Sequence, residues 1–499
     1  MGENVYFEAS KVYGTVFILE KKFVKVIAYA SDSQLIPYDK VVRTFSPLAI
    51  EVGSSYLGTT INPINKVIFK IKQDNNLFLW NDLPVKTPNI RPVEYKAPGI
   101  RARWPVCEPL LTGWAIVDAV IPVGRGQRQL ILGDRGVGKT QVSLTTILNQ
   151  RQSNNWCQLH ATYEVERLIC IYTAIGQRDP EVSKFQNELS QYDAMWYSII
   201  VKTTSADPMG LQYLSALSGT AHGEFFRDNG MHALVIYDDL LNHAAIYRTM
   251  SLVMGRSPGR EAYPGDVFYL HSRILERSAK LNKKNLFGSL SSLPIVETFN
   301  NDITSYIATN IISITDGQIY LDKKLFLKGI KPAVNLDLSV SRVGSKAQPW
   351  MLTKAVSGLT KLLREYFAAY RLLTKLGWDL LLDEHKTQYQ LGRVAMAVWL
   401  QPVKAPMRVE LMIIFWLIVT EGLFLTVKSP LNGRALLEIY LKEGNFQFII
   451  WMLYLKKSKK DKLFFNFIKW WIRELLLFYN FINTKTFWNK ELETLNLHK

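Results

Sequence analysis

The octapeptide Gly133-Asp134-Arg135-Gly136-Val137-Gly138-Lys139-Thr140 constrains this chain more than any other stretch. It follows the apolar run Gln129-Leu-Ile-Leu and precedes a helix-like stretch from Gln141 to Gln150. G-x-x-x-x-G-K-T between a strand and a helix builds a phosphate cradle. Gly136 and Gly138 let the backbone curl so that several N–H groups converge on phosphate oxygens, and the helix N-terminus behind them adds partial positive charge. Lys139 reaches the β- and γ-phosphates, and Thr140 offers its hydroxyl to Mg2+. A nucleotide-phosphate site is expected here.

A chain of 499 residues exceeds what one core organises, so two or three domains are expected. Up to about Val93, short runs such as Val12-Tyr-Gly-Thr-Val-Phe-Ile-Leu and Lys66-Val-Ile-Phe-Lys-Ile alternate apolar and polar residues, which predicts a small all-β domain, sandwich or barrel. From about Glu94 to Trp350, short apolar runs alternate with longer helical segments, the pattern of a parallel sheet with crossover helices. The candidate strands are Gln129–Gly133, Leu168–Ala174, Tyr197–Lys202, Ala233–Tyr237 and Asn310–Ile314. From Met351 onward helices dominate. The expected boundaries are therefore 1–93, 94–350 and 351–499.

The net charge of +17 admits nucleic acid, an anionic membrane surface or large acidic partners. Cys107, Cys157 and Cys170 are too few for a disulfide framework or a zinc site, which favours a reducing compartment. No secretory or transit pattern opens the sequence. The apolar runs Leu411–Thr420 and Phe446–Leu455 fall short of the roughly 20 residues a spanning helix needs and read as buried helix.

Three further positions carry chemistry. The run Met231-His-Ala-Leu-Val-Ile-Tyr-Asp238-Asp239 is an apolar strand ending in carboxylates, about a hundred residues after the phosphate loop. Asp238 is placed to act on Mg2+, through water, with Asp239 as a nearby structural acid. The strand Leu168-Ile-Cys-Ile-Tyr-Thr-Ala leads into Ile175-Gly176-Gln177-Arg178, where a hydrolytic site needs a carboxylate to orient water. Gln177 donates and accepts hydrogen bonds but is no general base. Glu224 is the alternative source of one. Arg342, bracketed by small residues in Asp337-Leu-Ser-Val-Ser-Arg-Val-Gly-Ser, is either a solvated surface charge or an arginine finger.

Taken together, these residues resemble the alpha subunit of F-type ATP synthase. So do Glu108-Pro-Leu-Leu-Thr-Gly, Ile121-Pro-Val-Gly-Arg-Gly-Gln-Arg, Ala174-Ile-Gly-Gln-Arg, Gly223-Glu-Phe-Phe-Arg-Asp-Asn-Gly, the run from Pro258 to Arg273, Ile314-Thr-Asp-Gly-Gln-Ile and Ser339-Val-Ser-Arg-Val-Gly-Ser. The likeness is dense from about Ala97 to Gln348 and faint after about Arg371. It implies an N-terminal β-barrel crown, a RecA-like α/β nucleotide domain and a helical C-terminal domain. It implies a site that holds ATP with Mg2+ without turning it over, Gln177 standing where the beta subunit has its catalytic Glu. The family's arginine finger falls on Arg342, reaching a beta subunit's site. Its adenine pocket falls on Phe326, Lys331, Pro332 and, with a looser match, Gln401; Val403 stands where relatives carry Gln. Implied partners are beta subunits alternating in a hexamer, the central gamma stalk and stator proteins, with no nucleic acid and only peripheral membrane attachment.

Some positions depart from the family. Gly136 and Val137 replace the usual Gln and Thr in the loop, removing a side-chain contact to phosphate. The tail, with Lys456–Lys462, Trp470 and Trp471, is either drift in an AT-rich genome or a surface for stator or dimer contacts. The excess of Phe, Ile, Asn, Lys and Tyr, with no transit pattern, suggests an organelle-encoded chain on the matrix side of the mitochondrial inner membrane. A Rho-type hexameric nucleic-acid motor would need a carboxylate at 177 and a basic, aromatic channel loop, and neither is evident. Secretion-type and flagellar ATPases need the same carboxylate, and a V-type regulatory B subunit would lack the phosphate loop.

Overall fold

The computed structural model describes residues 2–71, 89–159, 167–420 and 422. The chain divides into two compact units, Met1–Thr112 with Ile121–Ala347, and Gly113–Val120 with Gln348–Lys499. The short helix α1 (Ala115–Val120) therefore belongs with the C-terminal segment, although it precedes the phosphate loop in sequence.

The first unit begins β-rich. Strands β1 (Glu3–Phe7), β2 (Val12–Leu19), β3 (Val24–Ala28) and β4 (Val41–Pro47) form an antiparallel sheet in the order β3-β2-β1-β4. Strand β5 (Ala49–Glu51) joins the central sheet in no way; it pairs with β8 (Ile90–Pro92) instead. Between them, β6 (Thr59–Ile61) and β7 (Val67–Lys70) extend the edge of the central sheet, with every residue of β6 buried. A two-residue ladder of β9 (Pro109–Leu110) and β10 (Val123–Gly124) precedes the phosphate loop.

The central sheet has nine strands in the order β17-β16-β11-β15-β14-β12-β13-β6-β7. Its later members are β11 (Leu130–Asp134), β12 (Leu168–Gln177), β13 (Ser198–Thr204), β14 (His232–Asp238), β15 (Ser289–Thr298), β16 (Gly317–Leu321) and β17 (Val340–Ser341). From β16 to β6 all neighbours run parallel, and the two edge strands are antiparallel. Parallel neighbours need crossovers. These are α2 (Lys139–Leu159), α3 (Asp179–Gln191), α4 (Met209–Asp228), α5 (Leu240–Val253), α6 (Val267–Leu275) and α7 (Tyr306–Ile314), with a short α8 (Lys323–Leu327) beyond β16. Every residue of β11 and β14 is buried, as a sheet covered on both faces requires. Register places Gly133 beside Glu297 and Ala174 beside Asp238, so the carboxyl ends of four strands open onto one crevice.

Four expected strands are present with shifted ends. The fifth, Asn310–Ile314, is instead the last part of helix α7. Its buried residues Ile307, Ala308, Ile311 and Ile314 follow helical spacing, which a five-residue window conceals. The strands on either side, β15 and β16, escaped the hydrophobic pattern. β15 is serine-rich and holds Pro294. Two of its buried serines find partners, Ser289 in His232 and Ser291 in the Gly126 N–H. Residues Ser289–Pro294 pair with β14 and Ile295–Thr298 with β11, so the proline stands at the handover between two ladders.

In the second unit, α9 (Trp350–Ala355), α10 (Leu359–Leu376), α11 (Asp383–Trp399) and α12 (Val409–Thr420) follow one another. α12 is buried on all sides, and Trp416 donates its indole N–H to the Ala115 carbonyl of α1. α10 packs on α11 so closely that a Cβ at Gly392 would lie 2.2 Å from the Tyr366 ring. Among the described residues, no helix is long and apolar enough to cross a membrane. The run Phe446–Leu455, the basic run Lys456–Lys462, Trp470 and Trp471 lie outside the described residues.

The helical assignment of Tyr306–Ile314 separates two neighbouring positions. Ile311→Ala, at a fully buried site, should cost about 2–5 kcal/mol. Ser313→Ala, on the exposed face, should stay within about 0.5 kcal/mol. Denaturant unfolding of the two variants measures both.

Candidate nucleotide site

The phosphate loop is held from below and open above. Gly133 adopts φ 159°, and a Cβ there would meet Leu321 O at 2.8 Å and Val137 Cγ2 at 2.9 Å. Val137 is buried beneath the loop, so a side chain at 137 in this backbone is directed into the core. The Asp134 carboxylate is also turned inward, accepting from Thr298 Oγ1 at 2.8 Å and Asn301 N at 2.9 Å. It moors the loop to the end of β15. By contrast, Gly136 (φ 81°) and Gly138 (φ 97°) would place a Cβ in open space, and Arg135 is exposed. The left-handed turns thus leave room above the loop for a phosphate chain.

Lys139 stands at the start of α2 and bends back over the loop, its Nζ donating to Gly133 O at 2.8 Å and Asp134 O at 2.7 Å. Burial depresses its pKa, while Glu297, Asp239, Asp238 and Asp134 favour the charged form. A cation of this kind, neutralised only by carbonyls and nearby carboxylates, suits an incoming polyphosphate.

Next to it, Thr140 Oγ1 donates to Asp238 Oδ2 at 2.8 Å. With its proton spent on the carboxylate, the hydroxyl turns its lone pairs outward, as a metal ligand must. Tyr172 OH donates to the same oxygen at 2.9 Å, and Gln177 Nε2 donates to Oδ1 at 3.0 Å. Gly176 (φ 61°) lies in the register shift of β12 between Ala174 and Gln177, which re-aims Gln177 toward β14. Asp239 caps α5, accepting from Asn242 N at 2.6 Å. Burial and the adjacent Asp238 push the Asp239 carboxyl up to about 7, and burial also raises that of Asp238. Two crowded acids beside a threonine hydroxyl fit a hard divalent cation such as Mg2+ in their donor chemistry.

The remaining expected residues are distributed as follows. Phe326, Lys331 and Pro332 follow β16, the neighbour of the loop-bearing strand. Lys331 Nζ lies 5.2 Å from the centre of the Phe326 ring, and Pro332 is buried. Gln401 belongs to the second unit, where its amide is fully engaged: it accepts from Ala115 N at 3.1 Å and donates to Gly113 O at 2.7 Å and Ala405 O at 2.6 Å. Arg342 directly follows β17. Its backbone N donates to Asp316 O at 2.9 Å, and Asp316 is in turn gripped by Arg128 at 2.9 and 2.7 Å. The Arg342 side chain is exposed and has no partner among the described residues.

Glu224 is not a base for this site. It is 1% exposed and ion-paired to Arg277 through both oxygens, at 3.0 and 2.5 Å. Three residues that the motifs did not single out do belong to the crevice. Tyr172 could have been found as the one tyrosine in a largely aliphatic strand, because a buried tyrosine needs a partner. Glu297 and Thr298 end β15 and could not be placed while that strand went unrecognised. Glu297 lies in register with Gly133 and answers the charge of Lys139.

Glu224→Ala would strand the Arg277 guanidinium and should cost about 3–5 kcal/mol of stability. ATP affinity of the folded variant should be unchanged. Chemical unfolding and calorimetric titration report the two quantities separately.

Residues 113–341 match the ATP synthase alpha/beta family, nucleotide-binding domain. The ATP synthase alpha subunits of Anaplasma marginale strains Florida and St. Maries are each 44% identical over 409 residues, 82% of this chain and 77% of each relative. At 44% identity over most of its length, and with the phosphate loop intact, the chain belongs to the family of F-type ATP synthase alpha subunits.

Proposed function

We propose that this chain binds Mg-ATP without hydrolysing it and lends Arg342 to the catalytic site of an adjacent beta subunit. The observation that carries this is Gln177. Its amide ends β12 at the crevice and is turned onto Asp238, so the position offers no base to a water molecule. When bound, Mg2+ would neutralise phosphate charge; Thr140 and Asp238 are the residues to hold it, Asp238 through water. Lys139 and the loop N–H groups would grip the phosphates, and Phe326, Lys331 and Pro332 would receive the adenine. Gln401, the looser match, already has its hydrogen bonds made within the second unit.

The exposed guanidinium of Arg342, on a backbone tied to Asp316, supports the finger role. A finger of this kind is worth about 10³–10⁵ in turnover. The assembly we infer is a hexamer of alternating alpha and beta subunits around a gamma stalk, with stator proteins at its periphery. Within the chain, a β-barrel crown (1–93), a RecA-like domain (94–350) and a helical domain (351–499) would divide the work. Such a complex sits on the surface of an energy-transducing membrane. The Phe, Ile, Asn, Lys and Tyr bias supports mitochondrial encoding and the matrix face of the inner membrane, although the relatives named above are bacterial. A Rho-type motor is disfavoured by Gln177 and by the kinship with ATP synthase subunits.

In the reconstituted complex, Arg342→Ala should lower ATP hydrolysis by about a thousandfold or more while ATP still binds this chain. Unchanged hydrolysis would remove the finger. The wild-type chain alone should bind ATP and release no phosphate. Steady phosphate release that disappears in Glu297→Gln would make this a catalytic subunit after all.

A further inference from the structure

We propose that Gln177 and Tyr172 are positioning residues that lock the Asp238 carboxylate for the magnesium of the bound nucleotide. On this view Gln177 has a function of its own and does more than vacate a catalytic position. The proposal rests on the Mg-ATP reading above.

A carboxylate has roughly four lone-pair sites. On Asp238, Oδ2 is occupied twice, by Thr140 Oγ1 at 2.8 Å and Tyr172 OH at 2.9 Å, and Oδ1 once, by Gln177 Nε2 at 3.0 Å. One site on Oδ1 is left, enough for one metal-bound water. Three donors from two elements (α2, and the middle and the end of β12) fix the plane of the group, which a single bond would leave free to turn.

Each donor is itself held. Tyr172 is buried and stacked on Phe185, with ring centres 3.9 Å apart and planes within 17°. The Gln177 amide can present only its N–H side to a carboxylate, and the register shift at Gly176 delivers it there. A glutamate at 177 could not make this bond unless protonated. Keeping a hydrolytic acid and keeping this lock are therefore mutually exclusive. The choice of Gln follows from the need to orient Asp238 as well as from the absence of chemistry.

The test is calorimetric titration of the full chain with ATP, in Mg2+ and in EDTA, for wild type, Tyr172→Phe and Gln177→Met. Thermal melting confirms that each variant folds. Both variants remove a donor while keeping the side chain close in size, and hydrogen bonds to charged groups are worth about 1.5–3 kcal/mol. The Mg2+-dependent gain in affinity should fall about tenfold or more in each, with affinity in EDTA unchanged within about twofold. Equal losses with and without Mg2+ would mean that these side chains only support the fold, and would overturn the proposal. So would wild-type behaviour of both variants. A wild-type chain that binds no ATP would sink the Mg-ATP reading itself, whereas failure confined to the variants leaves that reading standing. If Tyr172→Phe does not fold, Gln177→Met alone decides.

Discussion

The bond from Thr140 to Asp238 is the contact on which the site depends. Its two residues are almost a hundred positions apart and belong to elements separated by a whole strand, since β15 lies between β11 and β14. Only a parallel sheet brings both to the same edge, because every strand then ends on the same side. The apolar burial of β11 and β14 is what fixes that edge. Hydrophobic packing of the sheet and the hydroxyl–carboxylate pair at its rim are thus one construction.

Around that contact, charge is handled by enclosure more than by exposure. Asp134 is buried but spends its oxygen on Thr298 and Asn301, and Glu224 is buried but closed by Arg277. Such groups cost little once paired and much if a partner is lost. Asp238 and Asp239 differ from both. They lie side by side, and burial weakens their ionisation in the absence of a cation. Lys139, whose charge is favoured by four nearby acids, shows the same imbalance with the opposite sign. The pocket is arranged to be completed by something it does not itself contain.

Much of this is legible in the order of the residues. The phosphate loop, Asp238 and Gln177 sit in short local patterns whose residue types allow few other uses. What escaped was either non-local or patterned like something else. β15 hides behind serines, two of which are satisfied by His232 and the Gly126 backbone, and behind a proline placed where the strand changes partner. α7 passes for a strand because its apolar residues cluster in a short window. Tyr172 looks like one more large residue in a buried run, and only the register of β12 against β14 places its hydroxyl on Asp238. The fate of Glu224 was likewise invisible, since Arg277 is 53 residues away along the chain.

The two-residue strand β17 has a consequence beyond its size. It runs antiparallel at one edge of the sheet, as β7 does at the other, and its two residues leave too little edge for a further strand to add. Because Arg342 is the very next residue, the stop signal of the sheet and the tether of an outward-facing cation are the same piece of backbone. Insertions here would therefore be doubly penalised, once as an unguarded sheet margin and once as slack under an exposed cation.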